Sequence, residues 1–258
     1  MDTKKITRNE SGELTYPVVE KFISINGEGT KAGELAAFIR LRGCNLNCSY
    51  CDTLWANTDT CPCQYLTASN LVNWLRSCGV ANVTLTGGEP LLRPEVADLI
   101  CQIGQARIHP EDSSVTHPSE DYFKVEIETN GSIDLAPFTK MSYRPSFTMD
   151  YKCPDSGMEA AMNLDNFKLL DSRDTVKFVV GSRGDLDKST EVIHNYIWQA
   201  DHAEHAADAN LPHIYFSPVF SKIDPQDIVE YMIEHHLNGV RIQLQMHKFI
   251  WPPDMRGV

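Results

Sequence analysis

Short apolar segments alternate with longer amphipathic segments along most of this 258-residue chain. Apolar or alternating runs of three to eight residues predict strands, because successive side chains of a strand point to opposite faces. These runs are 18–25, 36–41, 82–86, 123–129, 146–151, 175–180, 214–216 and 240–244. Apolar residues spaced three or four apart predict helices over 66–78, 93–103, 187–199 and 224–236, the first with Thr67 or Ser69 as its N-cap.

Strands and helices in alternating order are typical of α/β folds with a parallel sheet covered by helices. Parallel strands require right-handed crossovers, so the sheet should curl in one direction. The number of strands favours an incomplete, TIM-like parallel βα barrel over a closed barrel of eight strands. We expect a single domain over 1–258, with an N-terminal extension over 1–17 and a docked tail over 245–258. Polar segments 109–121 and 201–210 are expected to be exposed loops.

The composition is ordinary for a globular protein, with 42% hydrophobic and 22% charged residues. A net charge of −12 argues against a broad basic surface for nucleic acid. The sequence contains no apolar run of about 20 residues that would predict a membrane span, and its first residues lack the apolar core of a signal peptide. Eight cysteines without a secretory signal predict a reducing compartment, the cytoplasm.

Three of these cysteines, Cys44, Cys48 and Cys51, follow the spacing Cys-x3-Cys-x2-Cys, with no fourth cysteine in register. Four thiolates normally hold an iron–sulfur cluster, so three thiolates on a four-iron cluster leave one iron open to a ligand. The spacing alone leaves two alternatives: zinc held with a distant residue, or buried structural thiols. Zinc prefers Cys-x2-Cys pairs, and the flanking Gly, Asn and Asp are atypical of a core, so the cluster is favoured.

Other polar segments directly follow predicted strands, where parallel α/β sheets bind their ligands. They are Gly87-Gly88-Glu89-Pro90, residues 128–131, residues 150–152 and Ser217-Pro218. Glycines without Cβ let backbone groups approach a ligand closely. Glu89 is a candidate for binding an ammonium group, and Glu128 for accepting from ribose hydroxyls. Glu126 shares the strand face of Glu128 and is a rival for that role.

The cysteine motif together with Gly87-Gly88-Glu89-Pro90 resembles the radical S-adenosylmethionine (SAM) superfamily. Four further stretches resemble the 7-carboxy-7-deazaguanine synthase family: 22–29, 38–43, Cys51-Asp52-Thr53 and 245–251. Two positions depart from the pattern of that family. Asn26 stands where the family has Gln, and Asp150-Tyr151-Lys152 stands where Ser-Pro-Lys is common.

The resemblance implies a lyase that converts 6-carboxy-5,6,7,8-tetrahydropterin into 7-carboxy-7-deazaguanine with loss of ammonia, in the biosynthesis of 7-deazapurines such as queuosine. It implies three cofactors: a 4Fe-4S cluster, SAM chelated by the open iron, and Mg²⁺. In this family a threonine hydroxyl at the position of Thr53 helps bind the magnesium, which suits the preference of that ion for oxygen.

The resemblance also assigns residues by position. The cluster ligands are Cys44, Cys48 and Cys51, and the SAM contacts are Tyr50, Asp52, Gly87, Gly88, Glu89, Glu128, Lys152 and Ser217. The substrate contacts are Asn26, Gly27, Glu28, Arg40, Thr86, His247 and Val258. Arg40 suits a carboxylate because a guanidinium binds it bidentately, and Val258 would close the site.

Similarity to this family further implies a homodimer that receives electrons from a donor such as flavodoxin. Two other interpretations remain open. A glycyl-radical activase shares the cysteine motif but acts on a protein backbone. A non-catalytic cluster or zinc protein is the other, although Gly87-Gly88-Glu89-Pro90 has no purpose in it.

Overall fold

The computed structural model describes residues 6–58, 60–110, 121–198, 210–253 and 255–258. Within these residues the strands form one ten-stranded sheet. The strands are β1 (Thr7–Arg8), β2 (Leu14–Ile25), β3 (Leu35–Leu41), β4 (Gln64–Thr67), β5 (Asn82–Gly87), β6 (Lys124–Thr129), β7 (Ser146–Tyr151), β8 (Thr175–Val180), β9 (His213–Pro218) and β10 (Val240–Ile242). The α-helices are α1 (Ala68–Cys78), α2 (Val96–Gly104), α3 (Ala136–Thr139), α4 (Arg183–Val192), α5 (Pro225–Glu234) and α6 (His247–Ile250). Each helix in this part of the chain is too short or too polar to span a bilayer.

The spatial order of the strands is β1-β2-β3-β5-β6-β7-β8-β9-β10, with β4 paired to β2. From β3 to β10 along this path every pairing is parallel, which confirms the α/β class and the open, partial barrel. At the other edge β2 runs antiparallel to β3, and β1 and β4 run antiparallel to β2. The predicted parallel sheet therefore has an antiparallel edge at β1, β2 and β4. Residues 26–34 are fewer than the dozen or so that a parallel crossover needs.

Local sequence signals set several of the element boundaries. Thr67 caps α1: its hydroxyl accepts a hydrogen bond from Asn70 N, as predicted. Helix α2 begins at Val96 rather than at Arg93, because Arg93 precedes Pro94 and is extended. Helix α4 begins earlier than predicted, because Ser182 is its cap.

Other boundaries also differ from prediction. Helix α4 ends at Val192 and continues as a π turn over Ile193–Ile197. Strands β1 and β4 were not predicted. The two polar segments expected as loops lie mostly outside the described residues, which omit 111–120 and 199–209.

The two faces of the parallel sheet have opposite chemistry. Side chains such as Val83, Ile127, Phe147 and Phe178 point to one face and belong to the buried apolar core. Their neighbours along the same strands point to the other face, and these are Thr84, Thr86, Glu126, Glu128, Thr148, Asp150, Lys177 and Ser217. Parallel sheets are usually apolar on both faces because helices cover both. The polar face is therefore the surface of the barrel that is suited to a ligand.

Candidate functional site

The cysteine loop follows β3 at the carboxyl edge of the parallel strands. Cys48 is buried, Cys44 and Cys51 are half-buried, and all three are free thiols. Burial raises the pKa of each thiol, while the nearby Lys152 acts in the opposite direction on all three. Because the thiolate is the form that binds metal, a shared cation favours ligation. The structure thus gathers the three predicted cluster ligands around one lysine.

Hydrogen bonds to sulfur support the fit of this loop to a cluster. Leu46 N lies 3.4 Å from Cys44 Sγ, and Asn130 Nδ2 lies 3.6 Å from it. Such bonds are one means by which proteins tune iron–sulfur clusters. Among the described residues no three His, Cys, Asp or Glu side chains are close enough to share one metal ion. A cluster has no such requirement, since each thiolate binds a different iron.

Gly87 and Gly88 allow the cysteine loop to lie against the end of β5. A β-carbon on Gly88 would overlap Asn57 Oδ1 and would lie 2.5 Å from Gly43 O and 2.6 Å from Cys44 Cβ. On Gly87 it would overlap the carbonyl oxygen of Leu41. Both glycines were expected to approach a ligand. In the structure the missing side chains make room for the loop that carries the cysteines.

Glu89 joins the ends of β5 and β6. Its side chain is only 2% exposed, and its oxygens accept from Asn130 N at 2.7 Å, Leu91 N at 2.9 Å and Thr129 Oγ1 at 3.0 Å. Burial raises the pKa of Glu89 to about 7, against the lowering effect of these donors. The carboxylate therefore has a supporting role that the sequence did not reveal, and its binding of an ammonium group stays a prediction.

Two buried acceptors at this edge have no hydrogen-bond donor within the described part of the chain. One is Asn57 Oδ1, which faces Gly88, and the other is Asp150 Oδ1, which belongs to the side chain beside Lys152. A buried acceptor without a donor costs about 1–3 kcal/mol. Both positions therefore fit a ligand that brings N–H or O–H groups, as the ammonium and ribose of SAM do. Asn57 was not among the predicted site residues.

A row of alternating charges connects the loop at Glu28 with the cysteine loop. Lys177 Nζ lies 2.6 Å from Glu28 Oε2 and 3.4 Å from Asp150 Oδ2, and Lys152 Nζ lies 2.9 Å from Asp150 Oδ2. Ser217 Oγ is 3.2 Å from the other oxygen of Glu28. Burial opposes the charge of both lysines, yet Asp150 raises the pKa of Lys152, and Asp150 and Glu28 raise that of Lys177.

The two rival glutamates of β6 have different surroundings. Glu126 accepts from Thr148 Oγ1 at 2.6 Å and lies 3.5 Å from the amide nitrogen of the buried Asn26. Glu128 shares a hydrogen bond with Thr86 and lies near Lys177, and burial raises its pKa. Glu126 thus holds the loop that carries Asn26. Glu128 is the acid that lies beside the row of charges, as the prediction for a ligand contact requires.

The C-terminal segment packs against the loop that begins at Asn26. A β-carbon on Gly27 would lie 3.2 Å from His247 Nδ1, so these two predicted residues are neighbours. Gln243 binds both backbone groups of Gly29: its Oε1 accepts from Gly29 N at 2.6 Å, and its Nε2 donates to Gly29 O at 3.2 Å. Burial lowers the pKa of His247, and the charge of Lys177 acts in the same direction. The charges of Glu28 and Asp52 act in the opposite direction. Gln243 was not predicted.

The remaining predicted residues lie around this centre. Arg40 Nε is bonded to Glu20 Oε1 at 2.7 Å, so part of its guanidinium is already engaged. Thr53 Oγ1 donates to Asp52 Oδ1 at 2.7 Å. Tyr50 OH lies 3.4 Å from the carbonyl oxygen of Val179 on β8.

The described tail beyond α6 is largely exposed but contacts a residue directly after the cysteine loop, so its closure of the site stays a prediction. The guanidinium of Arg256 lies 4.2 Å from the ring centre of Trp55, which is in the 3₁₀ helix Leu54–Asn57 directly after that loop. Val258 is half-buried. Next to Ser217 there is also a cavity of about 440 Å³, lined in part by Pro218, Phe220 and Phe249.

Comparison with known proteins shows which proteins this chain resembles. Residues 38–141 match the model of the radical SAM superfamily. A Clostridium acetobutylicum protein named 7-carboxy-7-deazaguanine synthase is 45% identical over 95% of this chain and 100% of its own length. A Methanospirillum hungatei protein of the same name is 36% identical over 92% of this chain and 86% of its own length. The crystal structure of QueE from Escherichia coli has the same fold, with a TM-score of 0.60 at 19% identity, over 90% of this chain and 94% of that one.

Proposed function

Because the chain belongs to the 7-carboxy-7-deazaguanine synthase family of radical SAM enzymes, we propose that its polar sheet face is where 6-carboxy-5,6,7,8-tetrahydropterin becomes 7-carboxy-7-deazaguanine with loss of ammonia. The observation that carries this proposal is the row of charges from Glu28 through Lys177 and Asp150 to Lys152. It joins a loop suited to a heterocycle with the loop that carries the cysteines. The product would enter the biosynthesis of 7-deazapurines such as queuosine.

Cys44, Cys48 and Cys51 would hold the 4Fe-4S cluster, and SAM would bind at the iron that lacks a cysteine. When bound, the cluster and SAM together supply the one-electron chemistry that starts a radical reaction. The charge of Lys152 lowers the pKa of all three thiols and offsets part of the negative charge that thiolates bring. The donors at Leu46 and Asn130 fix the position of Cys44.

The proposed SAM contacts surround the cluster ligands. They are Tyr50, Asp52, Gly87, Gly88, Glu89, Glu128, Lys152 and Ser217, with Asn57 as an addition from the structure. The acceptors on Asn57 and Asp150 that lack donors in the described structure support this placement. The cavity beside Ser217 has Phe220 and Phe249 in its wall, and aromatic rings of this kind suit stacking on an adenine.

The proposed substrate contacts lie at the other end of the row of charges. They are Asn26, Gly27, Glu28, Arg40, Thr86, His247 and Val258. Thr84 Oγ1 donates to Asn26 Oδ1 at 2.8 Å, which directs the amide N–H groups of Asn26 away from Thr84. Glu28, paired with Lys177, offers carboxylate oxygens as acceptors for the N–H groups of a pterin ring.

Magnesium is proposed at Thr53. The hydroxyl of Thr53 donates a hydrogen bond to the carboxylate of Asp52. Two neighbouring oxygen atoms of this kind suit a hard cation as ligands. Magnesium at this point would neutralise the carboxylate of the substrate.

We further propose one domain over 1–258, acting as a cytoplasmic homodimer with an electron donor such as flavodoxin. The single sheet that runs through the described strands supports one domain. Eight cysteines, all free, support a reducing compartment.

The proposal is tested by anaerobic reconstitution with iron and sulfide, followed by addition of reductant, SAM, Mg²⁺ and the pterin. We expect 7-carboxy-7-deazaguanine from the wild type, none from Cys48→Ala, and normal formation from the control Cys78→Ala at the end of α1. Formation of 5′-deoxyadenosine without deazaguanine would contradict the substrate and favour an activase. If fully loaded protein forms neither 5′-deoxyadenosine nor deazaguanine, the proposal as a whole is contradicted.

A further inference from the structure

Lys177 is a charged residue in the middle of an apolar strand. It lies in β8, Thr-Val-Lys-Phe-Val-Val, between β7 and β9 in the centre of the parallel sheet. The residue is only 9% exposed. Lysine is almost never buried to this extent unless it is paired. A residue of this kind in a central strand therefore needs a specific reason.

The partners of Lys177 come from two different regions of the site. Glu28 belongs to the loop after β2, 149 positions earlier in the chain, and its oxygen lies 2.6 Å from Lys177 Nζ. Asp150 belongs to the carboxyl end of β7, and its oxygen lies 3.4 Å away. Lys177 thus stands between the proposed substrate loop and the proposed cofactor edge.

Removal of the ammonium group would leave three acids, Glu28, Asp150 and Glu128, without the cation that acts on all of them. Glu28 would lose its partner at 2.6 Å and keep only Ser217 Oγ, at 3.2 Å, of the contacts described above. Because like charges repel each other, the Glu28 carboxylate would move from its position. The ammonium group therefore controls the position of Glu28.

We propose that Lys177 is a positioning residue that acts through Glu28: it holds this carboxylate in place as an acceptor for the pterin ring. The inference rests on the proposed function. Lys177 does not touch the reacting atoms in this account. Its effect is on recognition of the heterocycle.

A double-mutant cycle tests the inference. The variants are Lys177→Met, Glu28→Gln and the combination, each compared with the wild type. The dissociation constant of the pterin is measured on reconstituted protein with SAM but without reductant, and kcat and iron content are measured in parallel. We expect Lys177→Met to weaken pterin binding at least about tenfold, the loss typical of misplaced hydrogen bonds to a charged group. Iron content should be unchanged, and kcat at saturating pterin should change less than the affinity.

The combination decides whether Lys177 acts through Glu28. In a Glu28→Gln background we expect Lys177→Met to weaken binding by less than about threefold, since the carboxylate that it positions is already gone. The inference is overturned if the effects of the two single substitutions on pterin affinity multiply in the combined variant. It is also overturned if Lys177→Met binds the pterin within twofold of wild type. If Lys177→Met does not fold, Lys177→Gln replaces it, because its polar side chain is one bond shorter and uncharged and so removes the ion pair with Glu28; the same two criteria apply.

A control variant separates a loss of protein stability from a loss of pterin affinity. Arg144 Nη2 lies 2.6 Å from the fully buried Asp174, outside the site. Arg144→Met should lower the melting temperature and leave pterin affinity unchanged. A wild type that makes no deazaguanine would contradict the proposed function together with this inference. An active wild type and a Lys177→Met variant with unchanged pterin affinity would contradict only the inference.

Discussion

Replacement of Gly88 by alanine tests how closely the cysteine loop must lie against the end of β5. The added methyl group would overlap Asn57 Oδ1 and lie 2.5 Å from Gly43 O, where ordinary contacts begin at 3.4 Å. Relief requires the loop to move outward by about 0.9 Å. Gly43 O is also the acceptor for Glu89 N at 2.9 Å, so this movement would break that hydrogen bond.

The expected cost has two parts. Forcing a methyl group into a packed site costs about 1–3 kcal/mol, and loss of one backbone hydrogen bond adds roughly 0.5–1.5 kcal/mol. A total of about 1.5–4.5 kcal/mol lowers the melting temperature of a chain of this size by roughly 3–18 °C. Displacement of Cys44 should also reduce the iron that the protein retains, even without SAM.

The assay measures the melting temperature of the apoprotein and the iron and sulfide content after reconstitution without SAM. Gly184→Ala in α4 is the matched control, because its nearest neighbour would be Ser182 Oγ at an ordinary 3.7 Å. Gly157→Ala separates strain from overlap, since Gly157 has φ 72° but nothing within 4 Å of the added carbon. A wild-type melting temperature and full iron content in Gly88→Ala would refute this reasoning.

Three further predictions concern the same face of the sheet. The unfolding free energy of the apoprotein should fall as pH rises from about 5 to about 8, because folding raises the pKa of Glu89 to about 7 and the folded state binds its proton more tightly. Urea titrations of Glu89→Gln should show a shallower fall, and parallel pH profiles would contradict the assignment. Thr84→Val should cost about 1–3 kcal/mol in urea unfolding, because the Asn26 oxygen loses its donor, whereas Thr84→Ser should stay near wild type. Gln243→Glu should weaken pterin binding about tenfold with normal iron content, because a carboxylate repels Gly29 O; unchanged binding would count against the role of this contact.

Local sequence patterns predicted much of the fold. The strands Ser146–Tyr151 and Thr175–Val180 and the cap at Thr67 depend on neighbouring residues, and all three were predicted correctly. The direction of β2 and the existence of β4 depend on which strand lies alongside. Hydrophobic periodicity carries no information on that pairing.

The candidate site shows the same division. The cysteine motif and the glycine motif each lie within a few consecutive residues, so the spacing within each motif indicated its role in the site. Lys177 and Gln243 were not assigned roles, because their partners Glu28 and Gly29 lie 149 and 214 positions away. Glu89 has a similar explanation: a ligand contact was expected from its motif, while its bonds to Thr129 and Asn130 depend on the pairing of β5 with β6.

The alternation of side chains along β5 to β8 has a consequence for how this enzyme could evolve. Val83 and Thr84 are adjacent in sequence, yet one contributes to the core and the other faces the site. A mutation at the first position is selected through stability alone, whereas one at the second is selected through the chemistry of the site as well. A directed-evolution library for a new heterocycle could therefore vary alternate positions such as 84, 86, 126 and 128 and leave their neighbours fixed. Selection for a new substrate would then leave the apolar core unchanged.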